Sequence, residues 1–420
     1  MTNKKLLFIW NYHYFPFEKG KSRFSDLLDA FVKEGYQVEV VTSSFYHMGK
    51  TQRSIKDPKY QSLGYKVHFI SEPGYKKNVS LARVRSMNRF NAGVKHYLKN
   101  HEPVDVVYVP VPSIKLASIA EKWCHVTKAK CVIDVEDLWP ESFQMIIKPK
   151  FLCKALTWPL MLQANKAYRK ADAVVAVSQT YMDRVKRVRK DSFPNAVAPI
   201  GADIDFVRSI IGKNIATKPS GEFWVSYIGT FGKSYDLKMV IDGVSGLYQS
   251  GHSNIVLKLM GTGPELEAIK QYAQSRPGRF DFLGLVSYDA MCQVLGASDV
   301  GVNPIVKGSV ASLINKVADY AACGLPVINS QECTEYIAML SKGPCGITVR
   351  CGDRGDFKKA LLSCLENPNL VRQMSTNTRE LLAPLFSRRL SEKRIMQMVE
   401  QLGSDALKTY DHNLISGSDQ

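Results

Sequence analysis

The chain has 420 residues, 45% hydrophobic and 23% charged, which excludes bulk disorder and is too long for one ordinary core. Two domains of about 200 residues each are expected. The net charge is +17 and no run approaches the roughly 18 apolar residues that cross a bilayer, so an anionic partner is a candidate and a membrane span is not.

Residues 6–10 are an unbroken apolar run, expected as a buried strand. Asn11 and His13 interrupt it too soon for a secretory leader, so the chain is expected to stay in the cytoplasm. Residues 22–34 place Phe24, Leu27, Leu28 and Phe31 at helical spacing, and Gly35 stops that helix. Residues 38–41 give a second strand, and strand–helix–strand implies a parallel sheet. The alternation continues with strands at 67–70, 104–109, 131–135 and 173–177 and helices at 82–99, 113–124 and 154–170. Pro199 and Gly201 close a first unit, expected over residues 1–200.

The pattern then restarts, and residues 201–384 are expected to form a second domain. Strands at 224–229 and 255–261 each end in glycine, with a helix at 237–250 between them. Pro264 and Glu265 start another helix. Strands at 280–284, 300–304 and 326–329 alternate with helices at 288–297 and 313–322. An amphipathic helix at 390–402, inside a terminal segment of 385–410, is expected to pack back near the first domain, with 411–420 frayed. Together these predict an α/β protein, two Rossmann-like doubly wound domains facing each other across a cleft. Ligands in such sheets bind beyond the carboxyl ends of the strands.

The basic excess is confined to one half. Residues 1–210 hold 34 Lys and Arg against 19 Asp and Glu, whereas residues 211–420 hold 22 against 20. A basic face attracts nucleic acid, anionic lipid or phosphorylated ligands, or is a plain solvated surface. Its concentration in one half favours a specific anionic partner. No basic recognition helix or RNP-type aromatic motif is present, so nucleic acid is not expected. Residues 148–170 mix lysines with Phe151, Leu152, Leu156, Trp158, Leu160 and Met161, which fits an interfacial membrane contact or a core helix with basic rims. The nine cysteines form no Cys-x-x-Cys pair, so neither a zinc nor a disulfide framework is legible and reduced structural thiols are expected.

The cofactor signals are mostly exclusions. Asn11-Tyr12-His13-Tyr14-Phe15-Pro16 follows the first strand where a dinucleotide enzyme needs a glycine-rich turn. Gly232-Lys233-Ser234 has Tyr227 where a P-loop needs its first glycine. Three glycine loops remain: Gly20 before Arg23, Gly229-Thr230-Phe231-Gly232-Lys233, and Gly261-Thr262-Gly263. Glycines admit close backbone approach, and a following helix N-terminus favours phosphate.

Residues 312–328, from Ser312-Leu313-Ile314-Asn315-Lys316 through Asp319 to Gly324-Leu325-Pro326-Val327-Ile328, resemble the donor-binding helix of the retaining glycosyltransferase family 4. Residues 259–265, 282–284 and 297–301 support the likeness, which covers roughly residues 4–400. Asp134-Val135-Glu136-Asp137-Leu138-Trp139-Pro140-Glu141-Ser142 is similar to a motif of the capsule, O-antigen and exopolysaccharide branch, and Ala171-Asp172 with Val177-Ser178 also fits. The chain departs from the family where a pair of glutamates eight residues apart is usual: Asp319 and Ala311 stand there. Thr230 replaces the arginine that precedes the phosphate lysine.

The resemblance implies a GT-B fold, a nucleotide-diphosphate-sugar donor (UDP favoured, GDP the alternative), no bound cofactor and no metal. It implies a glycan or lipid-diphosphate-linked acceptor, and an anionic membrane surface on the inner face of the cell membrane fits the charge. Lys233 and Lys316 are assigned to the diphosphate with backbone amides around Gly20, Gly229 and Gly263, and Arg23 reaches the same group. Thr230, Gly261, Leu313 and Asn315 complete the donor site, and Asp319 takes the ribose hydroxyls. Asp137 and Glu141 are expected to orient acceptor or sugar, or to build a turn; His13 is expected to touch the acceptor or to be structural. A GT-B-like nucleotide-sugar epimerase, a nucleic-acid or membrane-binding scaffold and an inactive scaffold are the competing readings.

Overall fold

The computed structural model describes residues 4–402 apart from residues 79, 146, 148, 214 and 309–312. In the first half, β1 (Lys5–Ile9), β2 (Gln37–Ser43), a hairpin β3 (Phe45–Tyr46) and β4 (Thr51–Gln52), β5 (Lys66–Ile70), β6 (Val106–Val111), β7 (Lys130–Val135), β8 (Ala173–Ala176) and β9 (Asn195–Val197) follow in order. All but the hairpin join one parallel sheet, β5-β2-β1-β6-β7-β8-β9. In the second half, β10 (Phe223–Ile228), β11 (Ile255–Met260), β12 (Arg279–Gly284), β13 (Val300–Asn303), β14 (Val327–Asn329) and β15 (Gly346–Thr348) form a parallel sheet β12-β11-β10-β13-β14-β15.

Every residue of β6 and β10 is buried, as strands covered by helices on both faces require. This is the expected pair of doubly wound α/β domains. In each sheet the order reverses beside the first strand, between β1 and β6 and between β10 and β13. The loops after these strands therefore frame the crevices where such folds take ligands.

Several elements differ from the expectation in extent. β6 runs through Pro110 to Val111, two residues past the expected end, with Pro110 opposite Asp134. The helix Lys150–Lys170 begins four residues early. β9 and β15 are three residues each, too short to show a period in sequence.

The chain crosses between the domains twice, and the two crossings lie side by side. Ala202 donates its N–H to Phe386 O at 2.9 Å, and Arg388 donates to Ala202 O at 3.1 Å. Gly201 has φ +67°, and a Cβ there would stand 2.6 Å from Phe386 O, so only glycine lets the strands approach. Beyond the second crossing the helix Arg388–Gln401 buries Ile395, Met398 and Val399 in one cluster with Phe8, Leu27 and Val40. Across the cleft, Glu335 of the second domain accepts from Gln179 N (2.8 Å), Thr180 N (2.9 Å) and Thr180 Oγ1 (2.7 Å). Gln179 lies just past β8 and Glu335 just past β14, so the carboxyl ends of the two sheets face each other.

Candidate functional site

The second domain brings its most unusual side chain to the switch point between β10 and β13. Lys316 sits in the first turn of the helix Asn315–Ala322, only 7% exposed. Its Nζ makes no hydrogen bond among the described residues. It lies 3.7 Å from the ring centre of Tyr235 and 4.1 Å from that of Tyr227. A Cβ added to Gly229 would stand 3.2 Å from it, so the ammonium is tucked beneath the loop that follows β10. Burial pushes its pKa well below the usual lysine value. An unpaired buried cation, held only by ring faces, gains most from an incoming anion.

One turn along, Asp319 Oδ1 accepts from Tyr288 Oη at 2.9 Å. Burial pushes its carboxyl up to about 6, against the pull of the Tyr288 bond and of the Arg388 guanidinium. Tyr288 stacks at 6.5 Å on Phe206, and its phenol is pushed upward by burial and by Asp319. Lys316 and Asp319 are thus together on one helix face. Gly229, Thr230, Lys233 and Asn315 are exposed around them, and Leu313 is half-buried.

The glycine loops do more structural work than their sequence suggests. A Cβ on Gly261, at φ +133°, would run into the Gly229 carbonyl oxygen, and one on Gly263 into that of Phe231. The N–H of Gly229 is donated to Met260 O (3.0 Å), that of Gly261 to Gly284 O (2.7 Å) and that of Gly20 to Pro16 O (2.7 Å). The N–H groups of Gly20 and Gly229 themselves are therefore already used, so a phosphate near either loop would be met by neighbouring amides. Gly263 N–H makes no such bond among the described residues.

The first domain also departs from the expectation. Arg23, assigned to phosphate, is 3% exposed and pairs with Asp134 at 3.0 Å and Glu136 at 3.3 Å. Asp134 also accepts from Tyr108 Oη at 2.5 Å. The Arg23 guanidinium is thus held inside the sheet, Nη1 donating to both carboxylates while Nε and Nη2 make no hydrogen bond among the described residues. Glu141 is paired with Arg184, which also reaches Asn165 Oδ1 at 2.7 Å. Asp137 accepts from Ser142 Oγ (2.8 Å) and Trp139 Nε1 (3.1 Å), closing a loop that contains the cis Trp139–Pro140 bond. His13 is buried between Phe8 and Phe15, and burial with the Arg53 charge lowers its pKa to about 3, so the ring is neutral. Asp137 and Glu141 follow β7, and His13 follows β1.

The sequence reading passed over Glu136, Tyr227, Tyr235, Tyr288 and Arg388. Glu136 is raised to about 8, mainly by burial, with Arg23 opposing and Asp134 adding to the rise. The signal for it was the period of two along β7, which puts Asp134 and Glu136 on one face. Ala311 and Ser312, which bear on the absent glutamate, lie outside the described residues, as does Lys148. Among the described residues no helix is long and apolar enough to cross a membrane.

Two parallel sheets of one strand order, carboxyl ends facing and joined by a double crossover, define the GT-B class of α/β proteins. The family model described as glycosyl transferases group 1 matches residues 222–367, within the second domain. A curated relative from Methanocaldococcus jannaschii, an uncharacterised glycosyltransferase, is 24% identical over 242 residues. That match spans 56% of this chain and 60% of the relative's own length. Among solved structures, sucrose-phosphate synthase from Thermosynechococcus elongatus superposes with a TM-score of 0.72 at 16% identity, over 95% of this chain and 99% of that one. Anabaena HepE, solved in complex with UDP, gives 0.66 at 14% identity, over 94% and 100%.

Proposed function

We propose that the protein is a glycosyltransferase that moves a sugar from a nucleotide-diphosphate sugar to a glycan or lipid-linked acceptor in bacterial-type surface polysaccharide synthesis, with retention of configuration. Residues 201–384 bind the donor and residues 1–200 the acceptor. The observation that carries this reading is the unpaired, buried Lys316 one turn from Asp319, at the switch point of a glycosyl transferases group 1 domain.

Breaking the bond between the anomeric carbon and the diphosphate leaves negative charge on the leaving oxygen. Lys316 neutralises that charge from below, and exposed Lys233 adds a second cation from the loop after β10. Asp319 accepts from the ribose hydroxyls, displacing Tyr288. The acceptor oxygen bonds to the anomeric carbon as the donor bond breaks, and its proton passes to the leaving phosphate. A UDP-sugar is favoured, as HepE is solved with UDP, and a GDP-sugar is the alternative.

The first domain is assigned to the inner face of the cell membrane. The helix Lys150–Lys170 turns Cys153, Ala164 and Tyr168 inward but leaves Phe151 75%, Leu156 61% and Trp158 61% exposed. Exposed Lys154, Lys166 and Arg169 accompany them. Apolar side chains beside cations fit an anionic lipid interface.

Thermal unfolding with UDP, GDP, ADP and CMP tests the donor assignment. One diphosphate at about 100 times its Kd is expected to stabilise the protein by about 2.7 kcal/mol. Asp319→Ala is expected to lose most of that stabilisation. Equal indifference of the native protein to all four nucleotides would sink the donor reading.

A further inference from the structure

A second cationic site lies in the first domain, built from loops at the carboxyl ends of β1, β2, β5 and β7. Tyr12 follows β1, His47 and Lys50 lie in the hairpin after β2, Tyr75 follows β5, and Trp139 follows β7. Arg83, at the start of the helix Leu81–Lys99, reaches back into this group. Its guanidinium donates to Tyr12 Oη at 3.0 Å and 3.3 Å and to Asn78 O at 2.9 Å. It lies over the rings of Tyr12, Tyr75 and Trp139, at 5.5–5.8 Å from their centres. Lys50 Nζ lies 4.7 Å from the centre of Tyr75, 3.1 Å from His47 Nδ1 and 2.7 Å from Asn78 Oδ1. His47 Nδ1 also meets Tyr75 Oη at 2.5 Å.

The group lacks a counter-charge. Among the described residues neither Lys50 nor Arg83 forms an ion pair with a carboxylate, and nor does the neighbouring Lys19. Glu72, buried close by, accepts from Ser43 and Ser86 hydroxyls instead, and Glu18 is taken by Arg53. The charges feel one another: burial and then Lys50, Arg83 and Lys19 lower the His47 imidazole to about 4. Partly desolvated cations converging without an anion are costly unless a ligand completes them. Apolar side chains flank the group: Leu81 is 88% exposed, Val84 54% and Met48 50%.

We propose that Lys50 and Arg83, with Lys19 at the rim and Tyr12 and Tyr75 as hydroxyl donors, bind a phosphate or diphosphate group of the acceptor, borne on an apolar chain that lies along Leu81, Val84 and Met48. The assignment rests on the glycosyltransferase reading, and it gives the excess positive charge of the first domain a particular task. Arg83 forks across two phosphate oxygens, and Lys50 serves as a point charge beside it.

Calorimetric titration of the full chain separates this site from the donor site. UDP is first titrated alone, then inorganic pyrophosphate and farnesyl diphosphate are each titrated with the donor site saturated by UDP. Both anions are expected to bind the UDP-saturated protein, farnesyl diphosphate the tighter. Lys50→Gln and Arg83→Gln are each expected to weaken that binding about tenfold or more while leaving UDP affinity unchanged. Lys50→Gln, in a solvent-facing hairpin, keeps the test open if Arg83→Gln disturbs folding. Pyrophosphate that binds only without UDP, or that binds both variants as well as the native chain, would overturn the site while the UDP titration still reports the donor reading. Equal affinity for the two anions would overturn the apolar-chain part.

Discussion

Lys316→Met is expected to reduce kcat/KM by about 10²–10³-fold, as removal of one charge-stabilising group at a reacting centre does, and at the same time to raise thermal stability. The two effects share one cause. Lys316 Nζ is buried, bonded to nothing among the described residues, and packed against Tyr227 and Tyr235. Methionine has similar length, fills the same slot and makes good contacts with aromatic rings without a charge to desolvate. In the native chain the ammonium pKa is depressed below its ordinary 10.5. The folded state then holds fewer protons than the unfolded state between the depressed value and 10.5. Stability must rise with pH across that window, and the Met variant should lose this rise.

A diphosphate reverses the depression, because an anion beside Nζ favours the charged form. Donor binding is therefore expected to take up a proton whenever the free enzyme holds Lys316 partly neutral. Calorimetry of UDP binding in buffers of different ionisation enthalpy reads that uptake directly. A Met variant that is more stable, binds UDP weakly and shows no proton uptake would establish the assignment. A variant that binds UDP as tightly as the native chain would remove Lys316 from the donor site.

The architecture was legible in the sequence because parallel strands covered on both faces become unbroken apolar runs, such as residues 6–10 and 106–109, and these stand out at any register. The side-chain network was much less legible. Arg23 sits beside Gly20, which made a phosphate role natural, yet its partners Asp134 and Glu136 are more than a hundred residues away and meet it only through the β1–β6–β7 neighbourhood. Glu141 and Arg184, 43 residues apart, likewise meet only in the fold. Lys316 and Asp319 were readable because both lie within one helical turn, where spacing alone fixes a common face. What spacing did not convey is that Lys316 lacks a partner and Asp319 has Tyr288. The cations at Lys50 and Arg83 were visible only as part of a net charge, since convergence of four loops is a property of the sheet and not of any segment.

Arg23→Met is expected to destabilise the protein by about 3–5 kcal/mol at pH 8, because it strips from two carboxylates of the first sheet the one cation that pairs with them among the described residues. Asp134 is fully buried, and Tyr108, which donates to it, is buried as well. Glu136 is raised to about 8 even with Arg23 present, since burial outweighs the pairing. A raised carboxyl binds more protons folded than unfolded, so its contribution to stability falls as pH rises from its ordinary 4.5 to about 8. Removing Arg23 pushes both carboxyls further up and steepens that fall. The deficit of the variant should therefore be smaller at pH 5, where the carboxyls escape by taking protons, than at pH 8, where they must stay charged or drag protons from neutral solution. Urea unfolding of both proteins at the two pH values measures the difference. A deficit that does not depend on pH would mean that Arg23 acts through packing on Phe24 and not through its charge, and would leave it free to be reconsidered as a ligand-facing group.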